Sequence, residues 1–172
     1  MLQEETNEEK SPGSKFRTPP QLRGGIHHVG IQTADMESSI AWYSHFFGCT
    51  SSWTMDGGFS ALSHLRLPGI SKLTELVVAD VRFHLFTCGG GPHEPPPATV
   101  NRFQHVCLGV SSLNELRKWR AHWFALFDSG QYNFVTAEPA SEIDVDADGM
   151  CSFYAYDPNG CEFEFSYFPE RP

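Results

Sequence analysis

The sequence has no long hydrophobic run and few basic residues. No stretch of its 172 residues approaches the roughly 20 apolar residues that a membrane-spanning helix needs. Lys and Arg number 12 against 21 Asp and Glu, which gives a formal charge of -9, and the basic residues form no cluster. Binding along a nucleic-acid backbone requires a basic patch. We therefore expect neither a membrane nor a nucleic acid as partner.

Cysteine is too sparse and too scattered for a disulfide framework. The count is five, an odd number, with no CxxC pair, and this usage is typical of reduced thiols inside a cell. The opening MLQEETNEEK is too acidic and polar for a signal or transit peptide. These features together predict a cytoplasmic protein.

Aromatic residues, in contrast, are plentiful. Phe, Trp and Tyr make up 13% of the chain and all hydrophobic residues 40%, which is enough to close a globular core. Residues 1–24 are rich in Glu, Pro, Ser and Lys without periodicity, so they are predicted to form a disordered N-terminal tail. Order is expected from Gly25 onward.

The first half of the ordered region, residues 25–88, predicts one strand, one helix and three strands. Asp35 is placed to cap a helix with apolar residues at helical spacing, and Gly48 to end it in a left-handed turn. Strands are predicted at 26–33, 49–55, 60–67 and 81–87. The Gly and Pro punctuation of residues 89–100 then predicts a linker.

The second half, residues 101–172, predicts the same order of elements. Ser112 followed three residues later by Glu115 is typical of a capping box at a helix start. Strands are predicted at 103–110, 133–138, 150–156 and 162–168. Each half is thus predicted to be one βαβββ module, in an α+β fold.

The two halves also repeat in sequence. FQHVCLGVSSLNEL aligns with IHHVGIQTADMESS and places His105 on His28. His27 has no such counterpart and, because side chains alternate along a strand, it is expected to face the other side from His28.

Four polar residues in apolar strand contexts stand in matching positions of the two halves. His28 and His105 open the first strand of each half, while VRFHLF carries His84 and CEFEF carries Glu164 toward the ends. A buried polar group needs a partner, and a divalent metal would serve all four, since imidazole and carboxylate are common metal ligands. His28, His105 and Glu164 are predicted as the ligand triad, with His84 a fourth ligand or a near neighbour. Ordinary, individually satisfied strand residues are the alternative.

The segments HVGIQTADMESSIAWYSHFFG and FYAYDPNGCEFEF resemble the opening and closing segments of the vicinal oxygen chelate superfamily, which includes glyoxalase I and the type I extradiol dioxygenases. The resemblance implies a cupped eight-stranded mixed sheet built from two βαβββ modules around a divalent metal. His28, His84, His105 and Glu164 match the superfamily's ligand positions. The second position is commonly Glu or Gln, and His84 departs from that.

The closing segment is similar to the extradiol dioxygenase signature, with Tyr154, Asp157, Pro158, Gly160 and Glu164 in place. By this resemblance Tyr154 reaches the substrate beside the metal as hydrogen-bond donor or proton shuttle. That signature begins with a His, whereas here the corresponding stretch EIDVDADGM contains none.

The resemblance implies a metalloenzyme acting on a small substrate that chelates the metal. An Fe(II) dioxygenase is favoured. An isomerase, epimerase or lyase using Mn, Ni, Zn or Co is the alternative, and a metal-free small-molecule binding protein is a third possibility. Two modules can form a cup within one chain or between the chains of a homodimer, and the sequence leaves both open.

Overall fold

The computed structural model describes residues 25–89, 99 and 103–169, which form two similar units. The first unit consists of β1 (Val29–Gln32), α1 (Met36–Phe47), β2 (Thr50–Met55), α2 (Ala61–Arg66), β3 (Lys72–Val78) and β4 (Val81–Thr87). The second consists of β5 (His105–Val110), α3 (Leu113–Asp128), β6 (Asp144–Val145), β7 (Cys151–Tyr156) and β8 (Glu162–Tyr167). The predicted tail and nearly all of the predicted linker lie outside the described residues.

Each unit forms a four-stranded mixed sheet in which the first strand lies beside the last. The strand orders are β1-β4-β3-β2 and β5-β8-β7-β6. β1 pairs with β4 and β5 with β8 in parallel, and the remaining pairs are antiparallel. The predicted α+β fold of two βαβββ modules is confirmed, with the eight strands divided between two sheets.

Two strand predictions are wrong. Residues 60–67 form the helix α2, because the Ser60 hydroxyl accepts a hydrogen bond from the Ser63 backbone N–H at 3.1 Å and caps a helix start. The third strand of the first unit is instead β3, with the sequence KLTELVV, in which Thr74 and Glu75 are adjacent polar residues among apolar ones. Residues 133–138 form no strand either, and the edge of the second sheet is the short β6.

The helix boundaries follow the predicted caps. The Asp35 carboxylate accepts from the Ser38 N–H at 2.9 Å to start α1, and Gly48 ends it with φ of 75°, a left-handed conformation that favours glycine. The Ser112 hydroxyl accepts from the Glu115 N–H at 3.1 Å to start α3. Among the described residues, no helix is both long and apolar enough to cross a membrane.

One aromatic core is shared by the two units. Phe47 of α1 lies 5.2 Å from Phe83 of β4 and 5.4 Å from Phe163 of β8, measured between ring centroids. Phe83 and Phe163 themselves are 6.2 Å apart. The faces of the two sheets that carry these residues therefore pack on the same core.

A buried hydrogen bond also connects the units. The Tyr43 hydroxyl of α1 donates to the Asp157 carboxylate at 2.8 Å, and both residues are fully buried. Asp157 also accepts from the backbone N–H groups of Asn159 and Cys161, at 2.9 and 2.8 Å. Burial raises the pKa of Asp157, while these donors oppose the rise. The Asp of the DPNG segment thus has a structural role.

Replacing Tyr43 with Phe is expected to lower the free energy of unfolding by about 1–2 kcal/mol, because the buried Asp157 carboxylate loses a donor. Urea unfolding followed by circular dichroism measures the change. Tyr167→Phe, at a partly buried tyrosine on β8, is the matched control and should leave stability nearly unchanged. Equal stability of the Tyr43 variant and wild type would contradict the structural role of this bond.

Candidate metal centre

The predicted ligands lie on the faces of the sheets that are turned away from the aromatic core, here called the outer faces. In β4, Phe83 and Leu85 are fully buried in the core, so His84 between them points to the outer face. In β8, Glu164 lies in the same way between Phe163 and Phe165. Each sheet therefore has its own outer face with predicted ligands on it.

On the first sheet, His28 and His84 are brought together. Their rings stack with centroids 3.8 Å apart and planes inclined by 9°. His28 immediately precedes β1, and β1 runs parallel to β4 with Gly30 beside His84. Trp53 of β2 flanks His84 at 5.2 Å. Burial and the neighbouring His84 lower the pKa of His28, which favours the neutral imidazole that binds metals.

A buried glutamate that the sequence did not reveal as a site residue holds His84. Glu75 lies directly opposite His84 across β3 and β4, with its Oε2 3.0 Å from His84 Nε2. Arg82 donates to the other carboxylate oxygen at 3.1 Å. The hydrogen bond with His84 is the main cause that lowers the pKa of Glu75 to about 2. The signal was present as a lone carboxylate in KLTELVV, but this segment was not predicted as a strand.

His27 lies on the same side as His28, contrary to the expectation from strand alternation. Its Nδ1 is 2.9 Å from Nδ1 of His28. Alternation does not apply here, because β1 begins only at Val29 and the two histidines precede the pleated backbone. His27, His28 and His84 each offer a ligand atom within 4.8 Å of the others. In the described part of the chain, this is the one group of three or more His, Cys, Asp or Glu residues that close together.

On the second sheet, His105 and Glu164 are brought together. His105 opens β5, and its Nε2 lies 3.1 Å from Glu164 Oε2. The Ser166 hydroxyl donates to the other carboxylate oxygen at 2.9 Å. Glu164 is 7% exposed, whereas a third of the His105 side chain is accessible. The pair thus has a carboxylate held in place and an imidazole open to the outer face.

Tyr154 lies beside this second pair, as its predicted role requires. It is directly opposite Glu164 across β7 and β8, and its ring is 5.4 Å from that of His105. Burial, followed by the charge of Glu164, raises the pKa of Tyr154, so the phenol stays protonated at neutral pH. Tyr154 lies opposite Glu164 in the second unit, just as Glu75 lies opposite His84 in the first. Tyr154 and Glu75 therefore occupy equivalent positions.

The structure brings the four predicted ligands together as two pairs and not as one quartet. No group within 4.8 Å, among residues 25–89, 99 and 103–169, joins His105 or Glu164 to His28 or His84. Both sheets pack on the shared aromatic core through the faces opposite to these pairs.

The donor set fits a divalent first-row transition metal. Neutral imidazoles with one carboxylate are ligands that Fe, Zn, Ni, Co and Cu accept, while Mg and Ca prefer oxygen. The carboxylate partner of His84, Glu75, also fits, because a metal-binding histidine commonly hydrogen-bonds a carboxylate that orients its ring.

Two βαβββ units with histidine and carboxylate pairs on their outer sheet faces define an α+β protein with a candidate metal centre. The family model of the Glyoxalase/Bleomycin resistance protein/Dioxygenase superfamily matches residues 25–165. The chain belongs to this superfamily, and the resemblance found in the sequence is confirmed.

Solved structures of the superfamily show the same fold. The genomically encoded fosfomycin resistance protein FosX from Listeria monocytogenes is 14% identical, with 86% of this chain and 95% of that chain covered and a TM-score of 0.58. Lactoylglutathione lyase from Agrobacterium tumefaciens is 18% identical, with 86% and 96% covered and a TM-score of 0.54. A glyoxylase/bleomycin resistance protein/dioxygenase domain from Frankia sp. EAN1pec is 15% identical, with 85% and 98% covered and a TM-score of 0.61. No curated protein sequence matches the chain.

Proposed function

We propose that the chain is a divalent-metal enzyme whose small substrate binds the metal through two oxygens, with Fe(II)-dependent dioxygenation as the favoured reaction. The observation that carries the proposal is the second pair with its tyrosine. His105 and Glu164 are in contact at 3.1 Å, and the protonated Tyr154 lies directly beside them. FosX has a structure with Mn(II), which supports a divalent metal in this fold.

His28, His84, His105 and Glu164 would hold the metal. When bound, it supplies Lewis acidity toward the substrate oxygens and, as Fe(II), a site for dioxygen. The protein's own contribution is orientation. Glu75 fixes His84, and Ser166 fixes the Glu164 carboxylate.

Tyr154 acts in this proposal as a hydrogen-bond donor to a substrate oxygen. Its raised pKa keeps the proton on the phenol, and the adjoining Glu164 carboxylate determines where that phenol lies. A positioned donor of this kind stabilises negative charge that develops on the oxygen during reaction.

A second copy of the chain completes the site. Because the two pairs of one chain are not brought together, the first pair of one chain meets the second pair of another in this proposal. Twofold symmetry then produces two identical sites in a homodimer. Trp53 and Met55 on β2 support such a contact, since these large apolar side chains are 40% and 42% exposed.

Isomerase or lyase chemistry with Mn, Ni, Zn or Co is the second candidate, and one observation favours it. Where the dioxygenase signature has a histidine, this chain has acidic residues, and Asp144 and Asp146 line a pocket together with Tyr154. A carboxylate at this place suits the removal of a proton from an enolisable substrate.

Metal analysis and activity assays together test the proposal. Protein purified without an affinity tag under anaerobic conditions is analysed by inductively coupled plasma mass spectrometry, beside His28→Ala, His105→Ala and Glu164→Ala. We expect stoichiometric iron in wild type and oxygen consumption with catechols that all three variants lose. Another metal with turnover of enolisable substrates would establish the second candidate. No stoichiometric metal after reconstitution would contradict both and indicate a metal-free binding protein.

Thiol labelling provides a further prediction for the second pair. Cys107 of β5 is exposed and lies beside Glu164 of the neighbouring strand β8. A metal ion and a second chain bound at this face should therefore slow the alkylation of Cys107. Cys49 should stay unlabelled, because burial raises its pKa to about 12 and only the thiolate reacts. Iodoacetamide labelling followed by peptide mass spectrometry, with and without metal, measures the rates. Glu164→Ala should abolish the protection, and equal rates in wild type with and without metal would count against a site on this face.

A further inference from the structure

We infer that the first unit binds a divalent transition metal by itself, through the imidazoles of His27, His28 and His84 within a single chain. The proposed function uses His28 and His84 but assigns no role to His27 and needs His105 and Glu164. The inference adds a ligand and a site that is complete without a second chain.

The distances among the three histidines suit one cation. Nδ1 of His27 and Nδ1 of His28 are 2.9 Å apart, and two nitrogens that bind one tetrahedral metal at about 2.0–2.1 Å lie roughly 3.3 Å apart. The His84 ring is 3.8 Å from that of His28 and 6.1 Å from that of His27. One ligand atom of each histidine lies within 4.8 Å of the others, and rotation of the rings out of the stacked arrangement aims three nitrogens at a common point.

His84 is already oriented for this role. Its Nε2 is held by Glu75, which is itself held by Arg82, and the Glu75 side chain is only 3% exposed. With the Nε2 proton donated to the carboxylate, Nδ1 keeps its lone pair for a metal. Glu75 is therefore a positioning residue behind the three-histidine site.

The ligand types determine the class of metal. Three neutral nitrogen donors without a carboxylate favour Zn, Ni, Co or Cu over Mg, Ca or Mn. Three protein ligands also leave at least one coordination position open. The first unit can thus take up its metal before His105 and Glu164 of a second chain, or a substrate, fill the open positions.

Metal titration of the full-length chain tests the inference. We expect His27→Ala to weaken Zn(II) binding at least tenfold in isothermal titration calorimetry and to change the Co(II) absorption bands that report nitrogen coordination. His64→Ala, at a histidine on α2, is the matched control and should bind as wild type. His105→Ala and Glu164→Ala should still bind Zn(II), and circular dichroism confirms that each variant is folded.

Two results would overturn the inference. The first is wild-type Zn(II) affinity in His27→Ala, and the second is loss of all Zn(II) binding in His105→Ala or Glu164→Ala. Neither result refutes the proposed function, because that function assigns no role to His27 and itself requires His105 and Glu164. Conversely, full activity of Glu164→Ala would refute the proposed function and leave the three-histidine site intact.

Discussion

Replacing Glu164 with Ala is expected to lower kcat/KM at least about a hundredfold, because the variant loses the one carboxylate among the proposed ligands. Glu164 is 7% exposed and contacts both His105 and Ser166. Without the Glu164 carboxylate, Tyr154 also loses the group that positions its phenol. Steady-state kinetics at saturating metal measure the effect.

Two further variants make this result interpretable. Glu164→Gln keeps the shape of the side chain and removes its charge, so it separates a loss of folding from a loss of ligand charge. We expect the Gln variant to be folded and nearly as inactive as the Ala variant. Glu138→Ala, at an exposed glutamate outside the strands, is the control and should keep full activity. A fully active and metal-replete Glu164→Ala would show that Glu164 is not a ligand.

The second large effect is recovery of activity on mixing two inactive variants. If each site takes one pair from each chain, an H84A chain and an E164A chain form a heterodimer with one intact site and one doubly defective site. After unfolding, mixing and refolding at equal amounts, about a quarter of wild-type activity should return, since half of the dimers are mixed.

The control for this mixing experiment is a pair of variants from the same unit. H28A and H84A chains leave a defective first pair in every site, so their mixture should stay inactive. No recovery in the H84A and E164A mixture would indicate that each chain builds its site alone. Recovery in both mixtures would indicate exchange or contamination and would contradict the shared site.

The sequence predicted the four residues as one group and not their division into two pairs. His28 and His105 were found through the repeat, and His84 and Glu164 through charged groups in apolar strands. His28 immediately precedes β1, whose parallel neighbour β4 carries His84, and His105 and Glu164 lie on the parallel strands β5 and β8. Whether the two pairs lie close together depends on how the two units pack against their shared aromatic core. This is a matter of tertiary packing that the pattern of apolar residues does not encode.

The residues missed at the site share a physical reason. Strand alternation predicts His27 on the opposite face, and this fails because β1 starts only at Val29, three residues after the predicted start at residue 26. Glu75 was overlooked because residues 60–67 were taken as the third strand, and their helix formers and Ser60 cap were given too little weight. In both cases an error in an element boundary, and not in the chemistry, hid the residue.

The parallel pairing of β1 with β4 has a consequence for folding kinetics. β1, which follows His28, pairs with β4, the last strand of the first unit, so all other elements of the unit lie between them in sequence. Such distant pairings form slowly because a long loop must close first. The same holds for β5 and β8 around His105 and Glu164. The His28–His84 pair and the His105–Glu164 pair therefore come together late in folding. In a refolding experiment, metal capture should report the last phase, after the hairpins and helices have formed.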